Sequence, residues 1–473
     1  MKRLVAMLGA AALFTAACGG DSGGGGAASA DCPVDALDNA TTPVELVVWE
    51  TFTGQPLRTM QQLVEEYNAS QDKVVVRLEN QGVGYEEIQR KYNTAISSGD
   101  LGGLVVLEDT QTQFMADSGT IVPAQACFDA DPDANLDDFS ETVRNFYSVG
   151  GALQPTSSNL STGVMYYNRD HLEAAGLDPD APPQTLEELK DASLAIQAAG
   201  VTEKPFVMVL QPWFIEHWLT GAGVPIVNEN NGRDGLATEA TFNNPTTVEL
   251  YDWLAEMNSL GLLNAVPGTE GQVDHYFAMA LEQASITIET STAISTINAV
   301  LEGTLDPAEV GLDADSLPAI DINVDVAPYP GINGPGEVQA GGGAWYIPNT
   351  NSDEVIAAAW DFMTWFNSAA TQADWMIGST YNAWNDLAAN ESNLQEWETT
   401  TRPGRWLSVA VEEIDNLNPA FPGPLIGPYT ETRTAIRQSL DQLLLAGQTP
   451  EQAVTGANDA ITAALERYEQ ENF

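Results

Sequence analysis

Strand patterns alternate with helix patterns over residues 44 to 109. This alternation constrains the fold more than any other feature of the chain. Three segments have the alternation or apolar run of β-strands, and two have apolar side chains at helical spacing. In chain order these segments are 44–50, 57–68, 73–80, 85–99 and 104–109. Strands separated by helices predict a parallel α/β sheet, in which ligands bind beyond the carboxyl ends of the strands.

That geometry brings polar and aromatic side chains to one rim of the predicted sheet. Trp49 and Glu50 end the first strand, Tyr85 follows the second, and Glu108 and Asp109 end the third. Carboxylates accept hydrogen bonds from pairs of hydroxyls, and aromatic rings pack on apolar faces of a ligand. We therefore expect a ligand site at this rim.

A second unit begins at residues 165–189, MYYNRDHLEAAGLDPDAPPQTLEEL. A strand pattern leads to a short helix that ends at Gly176, and a Pro-rich turn follows. Thr185 and Glu188 then have the spacing of a capping box at the start of another helix. Further helical patterns lie at 246–259, 353–367, 434–446 and 450–469. A chain of 473 residues with this content predicts two domains.

The charge of the chain excludes one class of partner. Lys and Arg number 17 against 67 Asp and Glu, a formal net charge of −50. Such an excess repels phosphate backbones and anionic membranes, so we expect no nucleic-acid partner. We interpret the acidity as a solvated surface, with a basic partner as the alternative.

The first 17 residues predict a signal peptide, with Lys2 and Arg3 before an apolar stretch too short to span a bilayer. The stretch ends in TAAC, which resembles a bacterial lipoprotein signal. This resemblance implies lipid attachment at Cys18, a tether over 18–43 and an extracytoplasmic, membrane-anchored location. A plain secretory signal is the alternative. No later run of 18 apolar residues exists, so the membrane contact expected is the lipid alone.

Cys32 and Cys127 form an even pair in an exported chain, which predicts a disulfide. No metal site is expected. The histidines are scattered, and the acidic stretch at 129–140 lacks the Gly and the final Glu of a calcium loop.

Several segments, in order, resemble the family 1 extracellular solute-binding proteins of ABC importers. They are VVWETFTG, GDLGGLVVLED, YYNRDHLEAAGLDPDAPPQTLEEL, NNGRDGLATEATFNNP, ASITIETSTAIS, GGGAWYIPN and MIGSTYNAWNDLA. The similarity covers most of residues 44–470. Within the family these segments look nearest to the glycerol-3-phosphate-binding branch and its sugar-binding relatives.

The resemblance implies a two-lobed, maltose-binding-like fold of α/β lobes joined by three crossings, with the ligand held between them. Lobe one would comprise 44–155 and 338–378, and lobe two 160–335 and 382–473. It also implies a monomeric binding protein without a cofactor, which delivers its ligand to ABC permease subunits and is not an enzyme.

Pocket positions of the glycerol-3-phosphate-binding branch can be transferred one at a time. They fall on Tyr85, Asp109 with Glu108 as the neighbouring option, Ser161, Thr290, Gly342 and Tyr381. The phosphate-binding arginine of that branch falls on Leu425. An anionic ligand is therefore disfavoured, because a buried phosphate without a cationic partner is costly.

Aromatic side chains at expected cleft-facing positions add further candidates for contact with a sugar. These are Trp49, Trp213, Trp218, Trp345, Tyr381 and Trp384, whereas Trp360, Trp365 and Trp375 are assigned to core packing. We predict capture of a carbohydrate, either a disaccharide or an oligosaccharide. The alternatives are a glycerol-3-phosphate or glycerophosphodiester binder and a secreted glycoside hydrolase, which needs two carboxylates flanking one bond.

Overall fold

The computed structural model describes residues 31–96, 98–268, 274–305 and 321–473. The predicted signal peptide and the predicted lipidation site Cys18 lie outside these residues. No helix in the described part of the chain is long and apolar enough to cross a bilayer.

The strands alternate with helices along most of the chain, as the sequence predicts. The strands are β1 (Val44–Glu50), β2 (Val74–Asn80), β3 (Leu104–Glu108), β4 (Ile121–Val122), β5 (Ser148–Val149), β6 (Ala152–Leu153), β7 (Thr156–Ser161), β8 (Gly163–Asn168), β9 (Phe206–Val209), β10 (Leu263–Val266), β11 (Ile286–Thr290), β12 (Val324–Pro328) and β13 (Gly341–Pro348). The first three coincide with the predicted strands to within one residue, since a buried strand leaves a clear apolar run.

The helices cover the predicted segments and several others. They are α1 (Gly54–Ser70), α2 (Tyr85–Ala95), α3 (Thr112–Ser118), α4 (Ala124–Ala130), α5 (Glu141–Tyr147), α6 (Arg169–Ala174), α7 (Leu186–Ala198), α8 (Pro212–Gly221), α9 (Asn228–Gly232), α10 (Pro245–Ser259), α11 (Asp274–Ala280), α12 (Ala293–Glu302), α13 (Asp353–Phe366), α14 (Ala369–Ser379), α15 (Ser392–Thr400), α16 (Arg402–Asp415), α17 (Tyr429–Leu444) and α18 (Pro450–Asn472). Thr185 caps α7 through the backbone N–H of Glu188. The Glu188 carboxylate accepts from Gln184 rather than Thr185, so the capping box is incomplete.

Two mixed sheets form the centres of two lobes. In lobe one the strand order is β2-β1-β3-β13-β4, and β7 also pairs with β13. In lobe two the order is β10-β9-β11-β8-β12. The predicted parallel pairing holds for β1 with β2 and β3, but β13 runs antiparallel to β3. The reason is that β13 enters the sheet from the other lobe, and therefore in the opposite direction.

The chain passes between the lobes at three places among the described residues. Thr162 separates β7 of lobe one from β8 of lobe two. Residues 329–340 lead back from β12 to β13. The third crossing follows α14, where the backbone N–H of Asn382 donates to the carbonyl of Leu160 at 2.7 Å. These crossings place the ends of the strands of both lobes around one interlobe space.

The disulfide predicted from the cysteine count is present between Cys32 and Cys127, whose Cα atoms are 4.9 Å apart. It ties the short 3-10 helix at Val34–Asn39 to α4 of lobe one. This part of the predicted tether (18–43) is thereby fixed to the lobe.

Candidate functional site

A cleft of about 880 Å³ lies between the two lobes. Lobe one contributes side chains from α2 and from the end of β3, and lobe two contributes the start of α8 and one side of α17. Among the lining residues are Tyr85, Glu108, Gln111, Trp213, Thr430, Arg433 and Arg437. The predicted rim of strand ends is therefore one wall of the cleft.

An arginine with two carboxylates dominates the electrostatics of this cleft. Arg433 of α17 donates from Nε and Nη2 to the two carboxylate oxygens of Glu216, at 2.8 and 2.7 Å. Its Nη1 contacts Glu108 of the opposite lobe. Gln339 also donates to Glu216, at 3.1 Å. All guanidinium nitrogens are thus engaged by carboxylates, and the cluster has an excess of negative charge.

Further contacts join the lobes on either side of this cluster. Gln111 Nε2 donates to Thr430 Oγ1 at 3.3 Å, and the Tyr468 hydroxyl donates to Asp117 at 2.8 Å. Arg437 lies 3.7 Å from Glu86. Each of these pairs joins a residue of lobe one to a residue of lobe two. The structure therefore shows the two lobes closed against each other.

His217, next to Glu216 on α8, adds no charge to the cluster. Its Nδ1 accepts from the backbone N–H of Gln339 at 2.8 Å, which assigns the proton to Nε2. Burial lowers the pKa of His217 well below its ordinary value, and the charge of Arg433 lowers it further. The ring is therefore neutral at pH 7.

Tyr85, which lines the cleft, and Tyr381 both lie beside the buried Asn159 of β7. Asn159 Nδ2 donates to the Tyr85 hydroxyl at 2.8 Å. Burial raises the pKa of Tyr381 to about 12, while hydrogen bonds with Asn159 and Thr292 act against that shift. Burial also raises the pKa of Tyr85 well above its ordinary value. Both phenols stay protonated at pH 7 and can donate and accept hydrogen bonds.

The three glycines at the start of β13 allow these side chains to lie directly on its backbone. A Cβ at Gly341 would lie 2.8 Å from the indole nitrogen of Trp213. A Cβ at Gly343 would lie 2.9 Å from the Tyr85 hydroxyl. Gly342 has φ +133° and faces the Asn159 carbonyl, so its predicted role in the pocket is a backbone one.

Trp213 is the predicted tryptophan that the structure places at the cleft. It follows Pro212 at the start of α8 and is half-buried. Its ring lies 4.1 Å from that of His217, centroid to centroid. One side of the indole is supported by protein while the residue borders open space, as a stacking platform requires.

Of the two acidic candidates at the end of β3, Glu108 lines the cleft and Asp109 does not. Asp109 is buried at the start of a 3-10 turn, and its Oδ2 has no hydrogen-bond partner. Burial raises the pKa of Asp109 well above its ordinary value, and the adjacent Glu108 adds to the effect. The side chains of consecutive residues at the end of a strand point in different directions. For this reason the side chain of Glu108, and not that of Asp109, faces the cleft.

Other predicted site residues lie near the cleft without lining it. Glu50 is buried and accepts from the backbone N–H of Phe52 at 2.6 Å. Trp49 packs against Gly102. Ser161 donates to the carbonyl of Gly341 at 3.3 Å, and Thr290 lies at the end of β11. Leu425, at the transferred arginine position, is buried away from the cleft.

Three predicted tryptophans belong to the core instead of the cleft. Trp218 is fully buried and donates to the carbonyl of Pro330 at 2.8 Å. Trp384 is buried against Phe139 and donates to Asn367 at 2.9 Å. Trp345 is buried on β13. Their rings are enclosed by protein, so no sugar can stack on them in this structure.

Glu216 and Asn159 are buried residues beside the cleft that the sequence did not point to. A charged residue within the apolar helix PWFIEHWLTG of α8 is the one local signal, because a buried carboxylate needs a partner. Its partner lies 217 positions away, beyond the range of any local pattern. Among the described residues no group of three or more metal-ligating side chains occurs.

The cluster does not resemble the paired carboxylates of a glycoside hydrolase. Such enzymes need one carboxyl group to give a proton and the other to act as base or nucleophile. Here Glu108 and Glu216 both bind the guanidinium of Arg433, and Glu216 is fully buried. The arrangement is suited to binding rather than to acid–base chemistry.

A family model described as bacterial extracellular solute-binding protein matches residues 62–401. The sn-glycerol-3-phosphate-binding periplasmic protein UgpB of Yersinia pestis is 25% identical over 441 residues, covering 92% of this chain and 95% of that protein.

Two solved structures are similar in fold. The cyclic α-maltosyl-1,6-maltose binding protein of Arthrobacter globiformis superposes with a TM-score of 0.67 at 22% identity, covering 90% of this chain and 100% of that one. UgpB from Mycobacterium tuberculosis in complex with glycerophosphocholine gives 0.71 at 17% identity, covering 91% and 100%. At these identities the likeness concerns the fold alone.

Proposed function

Because the chain belongs to the bacterial extracellular solute-binding proteins, we propose that it captures a neutral carbohydrate and delivers it to the permease of an ABC importer. The family predicted from the sequence segments is confirmed, and the protein is a binding protein rather than an enzyme. The ligand, the anchor and the oligomeric state are proposals.

The state of Arg433 carries the proposal of a neutral ligand. A phosphate in the cleft would need a cation with free donors, but Arg433 is bound to Glu216 at two points and to Glu108 at a third. Displacing a carboxylate would leave a buried negative charge uncompensated. Sugar hydroxyls can instead bind the outer oxygen of Glu108 and the phenol of Tyr85, both of which line the cleft.

Trp213 supplies the second element that a sugar site needs. It borders the same cleft as Glu108 and Tyr85. An aromatic face beside hydroxyl-binding groups fits a sugar ring, which has apolar C–H faces and a polar edge. A disaccharide or oligosaccharide would use the length of the cleft.

A glycerophosphodiester is the second candidate, and two other arginines favour it. Arg90 and Arg437 line the cleft nearer its edge. Their ion pairs are long, at 3.8 Å to Glu87 and 3.7 Å to Glu86, so both side chains could turn towards a phosphodiester. Two of the similar proteins carry glycerol-3-phosphate or glycerophosphocholine in their names.

A thermal-shift screen followed by calorimetry separates the two candidates. The panel would contain neutral mono- to tetrasaccharides, sn-glycerol-3-phosphate and glycerophosphocholine. A ligand at about 100 times its Kd stabilises the folded state by roughly 2.7 kcal/mol, which is readily measured. Binding of a saccharide and of neither phosphate supports the proposal, whereas tight binding of a phosphate compound with no saccharide binding replaces it by the second candidate.

The same proposal includes two moving lobes and a membrane anchor. The expected lobes are residues 44–155 with 338–378 and residues 160–335 with 382–473, and they open about the crossings to admit the ligand.

We also propose that a lipid is attached to Cys18 of a monomeric, extracytoplasmic protein. Mass spectrometry of the mature protein from membranes tests this, because an N-terminus other than a lipid-modified Cys18 would contradict it.

A further inference from the structure

One buried glutamine, Gln339, connects the crossings between the lobes with α8. It belongs to the second crossing, where it lies between the buried Val338 and Ala340, just before the glycines of β13. A polar side chain in such an apolar stretch is costly unless its groups are hydrogen-bonded. Gln339 is 2% exposed, and both its backbone groups and its amide have protein partners.

The backbone of Gln339 ties the crossings together. Its carbonyl accepts from the hydroxyl of Thr162 in the first crossing at 3.2 Å, and its N–H donates to Nδ1 of His217 on α8 at 2.8 Å. The carbonyl of Thr162 accepts from the N–H of Ser291 at 2.8 Å. The hydroxyl of Ser291 accepts from Nδ2 of Asn382 in the third crossing at 3.5 Å. The crossings therefore form one hydrogen-bonded hinge unit, which Gln339 links to α8.

The side chain of Gln339 extends this hinge unit to the charge cluster of the cleft. Its Oε1 accepts from the hydroxyl of Thr220 at 2.9 Å, and its Nε2 donates to Glu216 at 3.1 Å. Since these two partners are four residues apart, the amide spans one turn of α8. Glu216 holds Arg433 at two points, and Arg433 contacts Glu108 of lobe one. Gln339 is therefore connected, through two residues, to the interlobe contact of this cluster.

The contacts of this chain of residues differ in whether they cross between the lobes. Glu216 and Arg433 both belong to lobe two, so their ion pair needs no movement of the lobes. The contact of Arg433 with Glu108 forms only when lobe one meets lobe two. Hinges are short segments that absorb backbone rotation between bodies that stay rigid. A hinge unit fixed to α8 therefore determines where Arg433 lies relative to Glu108 as the lobes close.

We propose that Gln339 is a positioning residue for lobe closure, which holds Glu216, and through it Arg433, in the place where Arg433 meets Glu108. The inference rests on the opening of the lobes about the crossings, which is part of the proposed function, and it does not depend on the identity of the ligand. Closure of the lobes and alignment of the guanidinium then occur together. Loss of the Gln339 amide releases Glu216 and lowers the population of the closed form.

Gln339→Met removes the amide at nearly constant side-chain length and keeps the backbone hydrogen bonds of the hinge unit. Because a hydrogen bond to a carboxylate is lost, the open-to-closed ratio of the ligand-free protein should rise about tenfold or more. Small-angle X-ray scattering measures the opening as a larger radius of gyration. Gln154→Met is the matched control, because Gln154 is a buried glutamine of lobe one whose amide donates to Ala152, outside the hinge unit.

Glu108→Gln shows whether the effect of Gln339 passes through Arg433. This variant weakens the interlobe contact of the guanidinium, so it should also enlarge the radius of gyration. If Gln339 acts by positioning Arg433, adding Gln339→Met to Glu108→Gln opens the lobes no further than Glu108→Gln alone. Additive opening in the double variant, or equal opening in Gln154→Met, overturns the positioning role, because a general loosening of the fold gives the same result.

Gln339→Glu is a second variant, which keeps the size and polarity of the side chain. The titratable or charged groups around this position are Glu216, His217, Tyr429, Arg433 and, from lobe one, Glu108. A carboxylate at position 339 repels Glu216, whereas a protonated carboxyl group donates to it as the amide does. The excess of its radius of gyration over that of the wild type should therefore grow as the pH rises.

This pH profile separates positioning from a merely structural role, which would not make the opening depend on pH. Equal radii of gyration for the wild type, Gln339→Met and Gln339→Glu at every pH overturn the proposal. That result leaves the carbohydrate function standing, because calorimetry with the saccharide panel tests the ligand separately.

Discussion

Arg433 and Glu216 form a two-point ion pair inside the interlobe cleft, with Nε to Oε1 at 2.8 Å and Nη2 to Oε2 at 2.7 Å. Glu216 is fully buried, and Glu108 of the other lobe binds the remaining side of the guanidinium. In a chain of net charge −50, this buried cation is thus already compensated by the protein itself.

Removing the charge of Glu216 should destabilise the fold. Glu216→Gln leaves a buried guanidinium without its two-point partner, and breaking a buried pair in this way typically costs about 3–5 kcal/mol. Urea denaturation of both proteins measures the loss. Glu431→Gln is the control, because Glu431 lines the same cleft but is exposed, and its effect should stay within about 0.5 kcal/mol. A loss no larger for Glu216→Gln than for the control would contradict this account of the pair.

Removing the charge of Glu108 should change which ligands the cleft tolerates. Glu108→Gln takes a carboxylate from Arg433 and makes the cleft less negative, so repulsion of anions should weaken. We expect the wild type to bind no sn-glycerol-3-phosphate and the variant to bind it measurably, with the gain decreasing as salt is added. Glu79→Gln, at an exposed position outside the cleft lining, should behave as wild type. Tight wild-type binding of this phosphate in calorimetry would overturn the neutral-ligand proposal.

Truncating the aromatic platform should weaken binding without unfolding the protein. Trp213→Ala should cost more than about 1 kcal/mol of ligand binding, as expected for an aromatic anchor in a binding site. The matched control is Trp365→Ala, because Trp365 is a half-buried tryptophan on α13 that packs with Phe362 outside the cleft. Calorimetry with the best ligand of the screen compares the two. Equal Kd values for Trp213→Ala and wild type would remove Trp213 from the site.

The sequence predicted the elements of lobe one because their apolar patterns are local. The alternation in 44–50 and the helical spacing in 57–68 each extend over a few turns or pleats, and β1 and α1 follow them. The mixed character of the sheet could not be read in the same way. The partner of β3 is β13, more than 200 positions later, and its direction depends on the crossings between the lobes.

The candidate site was predictable only in part, for the same reason. Tyr85, Glu108 and Trp213 follow strands or begin helices at the interlobe edge, and the rule for strand ends places them there. Trp218 is also a tryptophan of α8. Unlike Trp213, its side chain points into the core, where it donates a hydrogen bond to the carbonyl of Pro330. Pairing of Arg433 with Glu216 depends on packing between α17 and α8, which no local pattern encodes.

The disulfide should contribute measurably to the stability of the folded protein. Cys32 and Cys127 are 95 positions apart, and closing a loop of this size stabilises by roughly 4.7 kcal/mol in the chain-entropy model. The double variant Cys32→Ala with Cys127→Ala should therefore unfold at lower urea concentration and keep its ligand affinity, because the bond lies in lobe one away from the cleft lining. Two free thiols in the wild-type protein under non-reducing conditions would contradict the bond.

Glu413 should make the stability of the protein depend on pH. It lies on α16, is buried, and accepts from the backbone N–H of Tyr329 at 2.6 Å through one oxygen, while the other has no hydrogen-bond partner. Burial raises the pKa of Glu413 well above its ordinary value of 4.5, and the charge of Glu412 adds to this. The unfolded chain therefore releases the proton at lower pH than the folded one does.

The sign of the effect follows from that order of proton release. Below the unfolded pKa of Glu413 both states are protonated and folding carries no penalty. Above it, the unfolding free energy falls by up to about 1.4 kcal/mol per pH unit until the folded pKa is reached. Glu413→Gln removes this contribution, so the variant should gain stability relative to wild type as the pH rises from 4.5 to 8. Urea denaturation across that range measures the difference. Glu396→Gln, at an exposed position on α15, should retain the wild-type slope. A pH-independent difference between Glu413→Gln and wild type would show that the buried carboxyl is not the titrating group.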